Sequence, residues 1–429
     1  MTVNRQLLTV NCQLSTTTTN TFIFMQSSYF IKLEEKYGAH NYHPLPVVIS
    51  KAKGCEMWDV EGKKYFDFLS GYSAVNQGHC HPTIVDALIE QAGELTLTSR
   101  AFYNDKLGSF EKYITELLGF DKMLPMNTGA EAVETAIKLA RRWAYVKKGI
   151  EENKAKIIVC SENFHGRTST IVSFSTDPSS YNQFGPYMPG FEVIPYNDVK
   201  ALEEKLKDNN VAAFLFEPIQ GEAGIIMPDQ GYLTKVRSLC SSYNVLMMAD
   251  EIQTGLCRTG RMMACDHEHV KPDLLLLGKA LSGGTMPISA VLANDEVMLT
   301  IKPGEHGSTF GGNPLASVVA MASLKVLVEE NMADNAKKMG TLFREKLGRL
   351  PSPFIREIRG KGLMNAIEIN HPNPQAAWKL CETFMQKGLL AKPTHGDKIR
   401  LTPPLVINEA QINEVVDIIR QSLPILETF

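Results

Sequence analysis

Residues 272–284, with the sequence PDLLLLGKALSGG, decide the fold expected for this chain. Four consecutive leucines between an acidic residue and a glycine-rich turn are typical of a short strand that is buried on both faces of a parallel sheet. Such a strand would deliver Lys279 into a small turn, where a poorly solvated ammonium group has a lowered pKa. The free amine is then available as a nucleophile towards an aldehyde.

Two other interpretations of Lys279 are open on this stretch alone. Lys279 could be an ordinary surface lysine that follows a strand. Gly278-Lys279 also resembles the end of a phosphate-binding P-loop, but that motif requires glycine five places before Gly278, where this chain has Asp273. The P-loop is therefore excluded, and residues elsewhere in the chain have to decide between a nucleophile and a surface lysine.

The composition is typical of a soluble globular protein with two or three domains. The 429 residues are 44% hydrophobic, and the net charge of −3 predicts no broad basic surface for nucleic acid. No apolar run approaches the ~20 residues of a membrane helix. Eight scattered cysteines without a CxxC pair indicate reduced thiols. The clusters at residues 79–81 and 265–269 lack a second ligand pair at zinc spacing, so we expect no metal.

Residues 1–33 differ from the rest of the chain. They contain no acidic residue, only Arg5 and Lys32 as bases, and a Ser/Thr run at residues 15–19. This composition is typical of an organelle transit segment, although such segments usually carry more arginine, and it is equally typical of a disordered tail. We expect a location in the mitochondrial matrix, with the cytoplasm as the alternative.

From about residue 105, apolar strands alternate with helical patterns, which predicts an α/β fold with a mostly parallel sheet. Polar loops follow five apolar segments, at residues 124–126, 157–160, 211–216, 245–249 and 274–277. Because open α/β sheets bind ligands at the carboxyl edge of their strands, these loops predict one shared site. Thr128 can cap a helix whose first N–H groups, at Gly129 and Ala130, would bind phosphate, although a plain capped helix has the same pattern.

The patterns also predict a division into domains. Beyond residue 313, two amphipathic helices and a strand–turn–strand pattern replace the alternation of strand and helix. We expect a large domain at residues 76–312 and a smaller α+β domain at residues 313–429. Residues 34–75, which contain a predicted hairpin, would join the small domain.

The loops supply the parts that are needed for chemistry on a bound aldehyde with an electron-withdrawing ring. Lys279 is the amine that holds and releases such a group and then moves a proton as general base and acid. Asp250 can keep a ring nitrogen protonated, although it could also be an ordinary capping or surface acid. Phe164 offers a flat face to the ring, and the helix start at residues 128–130 offers a phosphate anchor, with Thr309 in support.

The segments DEIQTG (residues 250–255) and LGKALSGG (residues 277–284) closely resemble class III pyridoxal phosphate-dependent aminotransferases. The resemblance runs from about Tyr37 to near the C-terminus, with further matches at residues 37–46, 73–82, 217–224 and 301–309. It implies a fold-type I transferase with pyridoxal 5'-phosphate as cofactor. It also implies a homodimer, or a higher oligomer built from it, with shared active sites. The implied reaction moves the δ-amino group of L-ornithine to 2-oxoglutarate and gives L-glutamate 5-semialdehyde and L-glutamate.

The resemblance further implies which residues bind the cofactor. Lys279 would hold it, Asp250 would pair with its ring nitrogen, and Phe164 would stack on its ring. The contacts to the phosphate and the phenolic oxygen would come from Gly129, Ala130, Gln253, Ser308 and Thr309, the last from the neighbouring subunit. Two positions depart from the pattern, because Ala130 is larger in some relatives and His165 replaces a bulkier aromatic residue in others.

The implied substrate pocket has to accept two unlike molecules. Ornithine presents a distal cation, whereas 2-oxoglutarate presents two carboxylates. The resemblance implies that Glu222 masks Arg400 until a substrate carboxylate takes its place, as a charge-assisted pair allows. It assigns the binding of ornithine to Tyr42, Tyr72 and Arg167.

Three alternatives remain open from the sequence. A related class III ω-aminotransferase would use acetylornithine, 4-aminobutyrate or lysine as the amino donor. A pyridoxal phosphate-dependent decarboxylase of the same fold would release carbon dioxide. A non-catalytic binding protein on the same scaffold would lack the visible absorption of a cofactor held by the lysine.

Overall fold

The computed structural model describes residues 26–429. Residues 1–25, which hold most of the predicted transit segment or tail, lie outside the described residues. The last part of that predicted segment belongs to a helix, Ser27–Tyr37. Within residues 26–429, no helix combines the length and the apolar character that crossing a membrane requires.

The strands are, in chain order, β1 Ile49–Lys53, β2 Glu56–Asp59, β3 Lys64–Asp67, β4 Lys122–Met126, β5 Lys156–Cys160, β6 Phe191–Ile194, β7 Val211–Phe216, β8 Leu246–Asp250, β9 Leu274–Leu277, β10 Ser289–Ala293, β11 Ile355–Lys361, β12 Met364–Ile369, β13 Leu389–Leu390, β14 Lys392–Thr394 and β15 Lys398–Leu401.

The helices are α1 Ser27–Tyr37, α2 Ser70–Ser73, α3 Pro82–Ala92, α4 Leu107–Leu118, α5 Gly129–Trp143, α6 Ser169–Val172, α7 Pro178–Tyr181, α8 Val199–Leu206, α9 Tyr232–Ser242, α10 Asp295–Met298, α11 Pro314–Glu329, α12 Met332–Gly348, α13 Ala376–Gln386 and α14 Glu409–Ser422. Shorter helical turns of other types lie at Ala144–Lys148, Ala264–Glu268, Lys279–Ser282 and Leu423–Glu427.

A seven-stranded sheet in the order β4-β10-β9-β8-β7-β5-β6 forms the centre of the fold. The pairs within β9-β8-β7-β5-β6 are parallel, whereas β10 runs antiparallel to both β4 and β9. All four leucines of β9 are buried, as a strand covered on both faces requires. The five predicted apolar strands all belong to this sheet, and the predicted α/β fold with a mostly parallel sheet is confirmed.

The sequence does not predict two strands of this sheet. β6 is a four-residue edge strand, and β10 has the sequence SAVLA, in which every residue is buried. Three of its five residues, Ser289, Ala290 and Ala293, have little strand preference of their own, and pairing with β4 and β9 on both sides supports the strand. Its antiparallel direction leaves β4, β8 and β9 with their carboxyl ends at the same edge.

Two four-stranded sheets complete the fold. One, β11-β12-β15-β14, lies wholly within residues 355–401. The other, β1-β2-β3-β13, joins the N-terminal hairpin to the C-terminal part of the chain through parallel pairing of Phe66 with Leu389. The hairpin predicted around Gly62 is confirmed as the antiparallel pair β2 and β3.

Helix α5 covers one face of the central sheet, and its N-terminus lies at the candidate site. Its apolar face, which includes Val133, Ile137 and Trp143, is buried in the same hydrophobic cluster as residues of β5, β8 and β9. Thr128 and Glu131 form a capping box at its first turn. The packing and the cap together fix where the N-terminus of the helix opens onto the sheet edge.

Candidate active site

Asp250 and Lys279 leave neighbouring strands at the same edge of the central sheet. β8 and β9 are paired in parallel with Asp250 opposite Leu276, and the N–H of Glu251 donates to the carbonyl of Leu276 at 3.1 Å. Lys279 is the third residue after Leu276. Its φ of 42° lies in the left-handed region, which costs a non-glycine residue about 1–2 kcal/mol. Such strain persists where the surroundings fix the backbone, as they do at functional sites.

The electrostatic surroundings of Lys279 differ from those of a surface lysine. Burial lowers the pKa of its amine, while the charges of Glu222 and Asp250 act in the opposite direction, and the net pKa is lowered. Both carboxylates therefore lie near the amine. This arrangement favours the nucleophile interpretation over an ordinary surface lysine.

Asp250 is paired with a histidine beneath the sheet edge. Its side chain is buried, with 4% of its surface exposed, and its Oδ2 lies 2.7 Å from Nδ1 of His165. Burial opposes protonation of His165, but the hydrogen bond to Asp250 and the charges of Asp250 and Glu217 outweigh it, so the pKa of His165 is raised. The pair therefore places a carboxylate and a hydrogen-bonded imidazole at the position predicted for the ring nitrogen's partner.

His165 is a functional candidate that sequence reasoning missed. Its position directly after Phe164, in the loop that follows β5, is the signal that could have identified it. The sequence offers no sign that its ring turns inward to Asp250, because the two residues are 85 positions apart.

A second missed residue, Glu217, ties two of the site loops together. It lies directly after β7 and is buried, and its carboxylate accepts hydrogen bonds from the N–H groups of Phe164 at 3.0 Å and Gly221 at 3.1 Å. Burial raises the pKa of Glu217 to about 7, against the opposing effect of His165. Glu217 thus connects the loop that carries Phe164 to the loop that carries Glu222.

Replacing Glu217 with glutamine should change how stability depends on pH. The raised pKa means that the folded state keeps a proton that the unfolded state releases above its ordinary pKa of 4.5, so this stabilising contribution is lost as pH rises through about 7. Between about pH 5.5 and pH 8, the cofactor-free wild type should lose about 2 kcal/mol of unfolding free energy relative to Glu217→Gln. Urea unfolding of both proteins measures this difference, and a difference that stays constant with pH would contradict it.

The start of α5 has the properties of a phosphate site. The Thr128 hydroxyl accepts from the N–H of Glu131 at 3.3 Å, and the Glu131 carboxylate accepts from the N–H groups of Asn127 and Thr128. Among the described residues, the N–H groups of Gly129 and Ala130 have no hydrogen-bond partner. Two free donors at the positive end of a helix fit the phosphate of the predicted cofactor.

The loop that carries the two predicted hydroxyl groups lies beside this helix start. The Ser308 hydroxyl accepts from the Asn127 side chain at 2.8 Å, so Ser308 belongs to the surroundings of the phosphate site. Thr309 is exposed at the surface of the single chain. The structure therefore brings Ser308 to the helix start, whereas Thr309 does not join it within one subunit.

Glu222 and Arg400 form the ion pair that the family resemblance implies. Oε1 of Glu222 lies 2.5 Å from Nη1 of Arg400, and Nε2 of Gln253 donates to the same oxygen at 3.2 Å. Burial would raise the pKa of Glu222, but the charges of Arg400 and Lys279 outweigh it, and the pKa is lowered. A Cβ atom at Gly221 would lie 2.3 Å from Oε1 of Gln253, so a larger residue there would displace the Gln253 amide from Glu222.

Tyr72 reaches the Arg400 guanidinium from a backbone segment of unusual conformation. α2 is a left-handed turn, with φ of 54° at Ser70 and Gly71, 59° at Tyr72 and 71° at Ser73. The turn directs the Tyr72 ring to 5.0 Å from Cζ of Arg400, a cation–π distance. Burial raises the pKa of the Tyr72 hydroxyl, and the Arg400 charge opposes this rise.

Tyr42 and Arg167 lie at the outer rim of the same region. Both influence the titration of Tyr72, Arg167 by lowering and Tyr42 by raising its pKa. The Arg167 guanidinium lies 5.5 Å from the centroid of the Phe164 ring. Tyr42, with 65% of its surface exposed, lines an open cavity of about 670 Å³ between α1 and residues 38–46. Arg167 thus lies beside Phe164, whereas Tyr42 lines a surface cavity formed by α1 and residues 38–46.

The assembled residues fit pyridoxal phosphate. Lys279 supplies the amine, Asp250 the carboxylate for the ring nitrogen, and Phe164 an aromatic face. The free N–H groups at the start of α5 suit its phosphate. These groups come from four different loops at one sheet edge.

Comparison with known proteins gives the same answer as the geometry. The class III aminotransferase family matches residues 37–423. The chain belongs to the class III aminotransferases. Members of this family depend on pyridoxal phosphate, and this class III aminotransferase is therefore a pyridoxal phosphate-dependent transaminase of fold type I.

Individual relatives of this class III aminotransferase have high identity over most of its length. Mitochondrial ornithine aminotransferase of Rattus norvegicus is 62% identical over 397 residues, which are 92% of this chain and 90% of the relative. A crystal structure of Toxoplasma gondii ornithine aminotransferase, with partial occupancy of pyridoxal phosphate at its active site, has a TM-score of 0.92 and 50% identity, and covers 95% of this chain and 96% of its own. The structure of acetylornithine aminotransferase from Elizabethkingia anophelis has a TM-score of 0.85 and 58% identity, with coverages of 92% and 98%.

Proposed function

We propose that this enzyme moves the δ-amino group of L-ornithine to 2-oxoglutarate and produces L-glutamate 5-semialdehyde and L-glutamate. The Glu222–Arg400 pair next to Lys279 is the observation that carries this proposal. A paired arginine does not attract the α-carboxylate of ordinary amino acids, which leaves the distal amine of ornithine as the end that enters. The identity to the rat ornithine aminotransferase supports the same substrate.

The residues of the site have distinct parts in this proposal. The cofactor, when bound, supplies an electron sink for the substrate carbon that carries the amino group. Lys279 holds the cofactor and, once free, takes and returns the proton at that carbon, for which its lowered pKa suits it. The Asp250–His165 pair keeps the ring nitrogen protonated, and Phe164 and Gln253 hold the ring in place.

The Glu222–Arg400 pair lets one pocket serve both substrates in turn. With ornithine, Glu222 stays on Arg400, and Tyr42, Tyr72 and Arg167 bind the end of the substrate with the α-amino and α-carboxylate groups. With 2-oxoglutarate, one carboxylate of the substrate replaces Glu222 on Arg400, and Arg167 binds the other. A guanidinium–carboxylate contact is strong yet exchangeable, which this alternation requires.

A second candidate donor is N-acetylornithine, because the Elizabethkingia anophelis structure that is 58% identical is described as an acetylornithine aminotransferase. The experiment that decides compares kcat/KM for ornithine, N-acetylornithine, 4-aminobutyrate and lysine with saturating pyridoxal phosphate and 2-oxoglutarate. We expect ornithine to exceed each of the others by about tenfold or more. N-acetylornithine and 4-aminobutyrate lack the free α-amino group and leave polar groups of the pocket unpaired, and the extra methylene of lysine displaces its reacting amine. A higher kcat/KM for N-acetylornithine would overturn the proposed donor.

We also propose that the enzyme is a homodimer with shared active sites, in which Thr309 of one subunit binds the phosphate held by the other. The exposure of Thr309 in the single chain supports this arrangement. Mixed refolding tests it, because a subunit with Lys279→Ala and a subunit with Thr309→Asp together form one intact site. We expect such mixtures to recover about a quarter of the wild-type activity when subunits pair at random in closed two-fold dimers. No recovery in mixtures that do contain mixed dimers would refute the shared site.

The division into domains and the location are further parts of the proposal. We propose boundaries near residues 76 and 313, which the sheet confined to residues 355–401 supports. The pairing of β3 with β13 supports the assignment of residues 34–75 to the small domain. We propose a mitochondrial location, which the description of the rat relative as mitochondrial supports.

A further inference from the structure

Arg258 is a fully buried cation in the loop that follows β8, and it has no acidic partner in contact. Its Nη1 donates to the carbonyls of Leu363 at 3.1 Å and Pro403 at 2.6 Å. Its Nη2 donates to the side-chain oxygens of Asn76 at 2.6 Å and Ser70 at 3.3 Å. Within residues 26–429 no salt bridge includes Arg258, and its Nε has no hydrogen-bond partner. The charge of the buried Asp67 also acts on Arg258, without a direct contact. A buried charge whose hydrogen bonds all go to neutral groups is uncommon and calls for an explanation.

The backbone is strained on both sides of this contact. Leu256 and Cys257, directly before Arg258, have φ of 55° and 72°. Ser70, which Arg258 contacts, begins the left-handed turn α2. Two runs of left-handed residues, in which only Gly71 is a glycine, therefore meet at one guanidinium group. Such conformations persist only where surrounding contacts fix them.

The contacts of Arg258 lead to both residues that form the cation–π pair of the substrate pocket. Ser70 precedes Tyr72 by two residues in α2, and Pro403 follows Arg400 by three residues after β15. Tyr72 and Arg400 are themselves in contact at 5.0 Å. Contacts and short chain segments therefore connect Arg258 to Tyr72 through Ser70. They also connect Arg258 to Arg400 through Pro403.

We propose that Arg258 is a positioning residue that fixes Tyr72 against Arg400 and thereby maintains the donor selectivity of the Glu222–Arg400 pair. This inference rests on the proposed function. The four contacts of Arg258 hold the two backbone segments at a set separation, because a planar guanidinium presents its donors in fixed directions. A lysine keeps the charge but cannot reproduce this geometry. Arg258 acts through its neighbours, since none of its hydrogen-bond partners belongs to the proposed cofactor or substrate contacts.

The molecule offers a matched control in Arg344 on α12. Its Nη1 donates to the carbonyl of Gly362 at 2.8 Å and to Oδ1 of Asn365 at 2.6 Å, and burial lowers its pKa. Arg344 is thus a half-buried guanidinium whose hydrogen-bond partners are also neutral. Its contacts join α12 to the β11–β12 turn and to β12, where Asn365 pairs with Leu401 beside Arg400, but none of them involves α2 or Tyr72. The general effect of replacing a hydrogen-bonded guanidinium can therefore be separated from the effect of losing the Arg258 contacts to α2.

The test compares Arg258→Lys and Arg344→Lys as cofactor-loaded enzymes, with rates expressed per bound cofactor. In Arg258→Lys we expect KM for ornithine to rise and the ratio of kcat/KM for ornithine to that for L-alanine to fall, each by about tenfold or more, because a displacement of about 1 Å in a positioning group has effects of this size. We expect kcat for ornithine to stay within about threefold, because no group that reacts is changed. Arg344→Lys should leave both quantities at wild-type values.

A binding measurement separates this inference from the proposed function. Glutarate has the two carboxylates of 2-oxoglutarate but no keto group, so calorimetry reports its affinity for the pocket without turnover. We expect Arg258→Lys to bind glutarate about tenfold more weakly than the wild type, since Arg400 is no longer held in place. A wild type without activity towards ornithine would refute the proposed function. Weakened glutarate binding in Arg258→Lys would still support the role of Arg258 in that case.

Ser70→Ala keeps the test decisive if Arg258→Lys fails to fold. This variant removes one acceptor of Arg258 and leaves the other three, so a smaller change in the same direction is expected for KM, for the selectivity ratio and for glutarate. Combining it with Tyr72→Ala should abolish its effect on the selectivity ratio, because the two residues would act as one unit. Unchanged glutarate affinity and selectivity in folded Arg258→Lys, or in Ser70→Ala where Arg258→Lys does not fold, would overturn the proposal.

Discussion

Lys279→Ala is expected to lower the rate of ornithine transamination by about 10⁴-fold or more, because one residue supplies both the amine that holds the cofactor and the general base. The variant should still bind pyridoxal phosphate through the start of α5, where the N–H groups of Gly129 and Ala130 remain. Its bound cofactor should therefore show the absorption of the free aldehyde. Stopped assays of semialdehyde formation, together with absorption spectra, measure both effects.

Lys235→Ala is the matched control for this experiment. Lys235 is exposed on α9, so its removal should leave rate and spectrum unchanged. Wild-type absorption in Lys279→Ala, or a rate within tenfold of the wild type, would contradict the assignment of Lys279. Such a result would mean that Lys279 is an ordinary lysine that follows a strand.

Glu222→Ala is expected to shift donor preference from ornithine towards ordinary α-amino acids by about 30-fold or more, the size of effect seen when one member of a buried charge pair is removed. Arg400 has 4% of its surface exposed and would lose the carboxylate that lies 2.5 Å away. The freed guanidinium would then bind the α-carboxylate of amino acids such as L-alanine. Ratios of kcat/KM for ornithine and L-alanine measure the shift.

Asp273→Ala tests whether the shift is specific to the site. Asp273 pairs with Arg237 at 2.8 Å and is half-buried, as Glu222 is. It precedes β9, whereas Lys279 follows β9, so the two residues lie at opposite edges of the sheet. We expect this variant to be less stable with unchanged donor preference. Equal preference in wild type and Glu222→Ala would remove the idea that Glu222 masks Arg400.

The two missed residues show why the site is more than its sequence motifs. His165 and Glu217 are buried behind Asp250 and Phe164, and each has its pKa raised in this structure. Charges in such positions act on one another because they are shielded from water. The protonation of the site is therefore set by three groups from three loops.

Some features follow from the sequence because their causes are local. The four leucines of β9 predict a buried strand, the pattern around Thr128 predicts a capped helix, and the glycines near Lys279 predict a tight turn. Likewise, loops after parallel strands meet at one sheet edge in any α/β fold, so the sequence predicts that Asp250 and Lys279 lie close together.

Other features depend on contacts between distant parts of the chain, which a local pattern does not encode. β10 is a five-residue segment, SAVLA, without a marked pattern, and it forms a strand by pairing with both of its neighbours. The left-handed turn at Ser70–Ser73 opposes the local preference of its residues and is held by contacts with residues as far away as Arg258. The sequence by itself determined five of the seven strands of the central sheet, the helix cap and the edge at which the site lies. Only the tertiary structure decided which buried groups pair with Asp250 and how Tyr72 meets Arg400, because those contacts depend on packing among segments far apart in the chain.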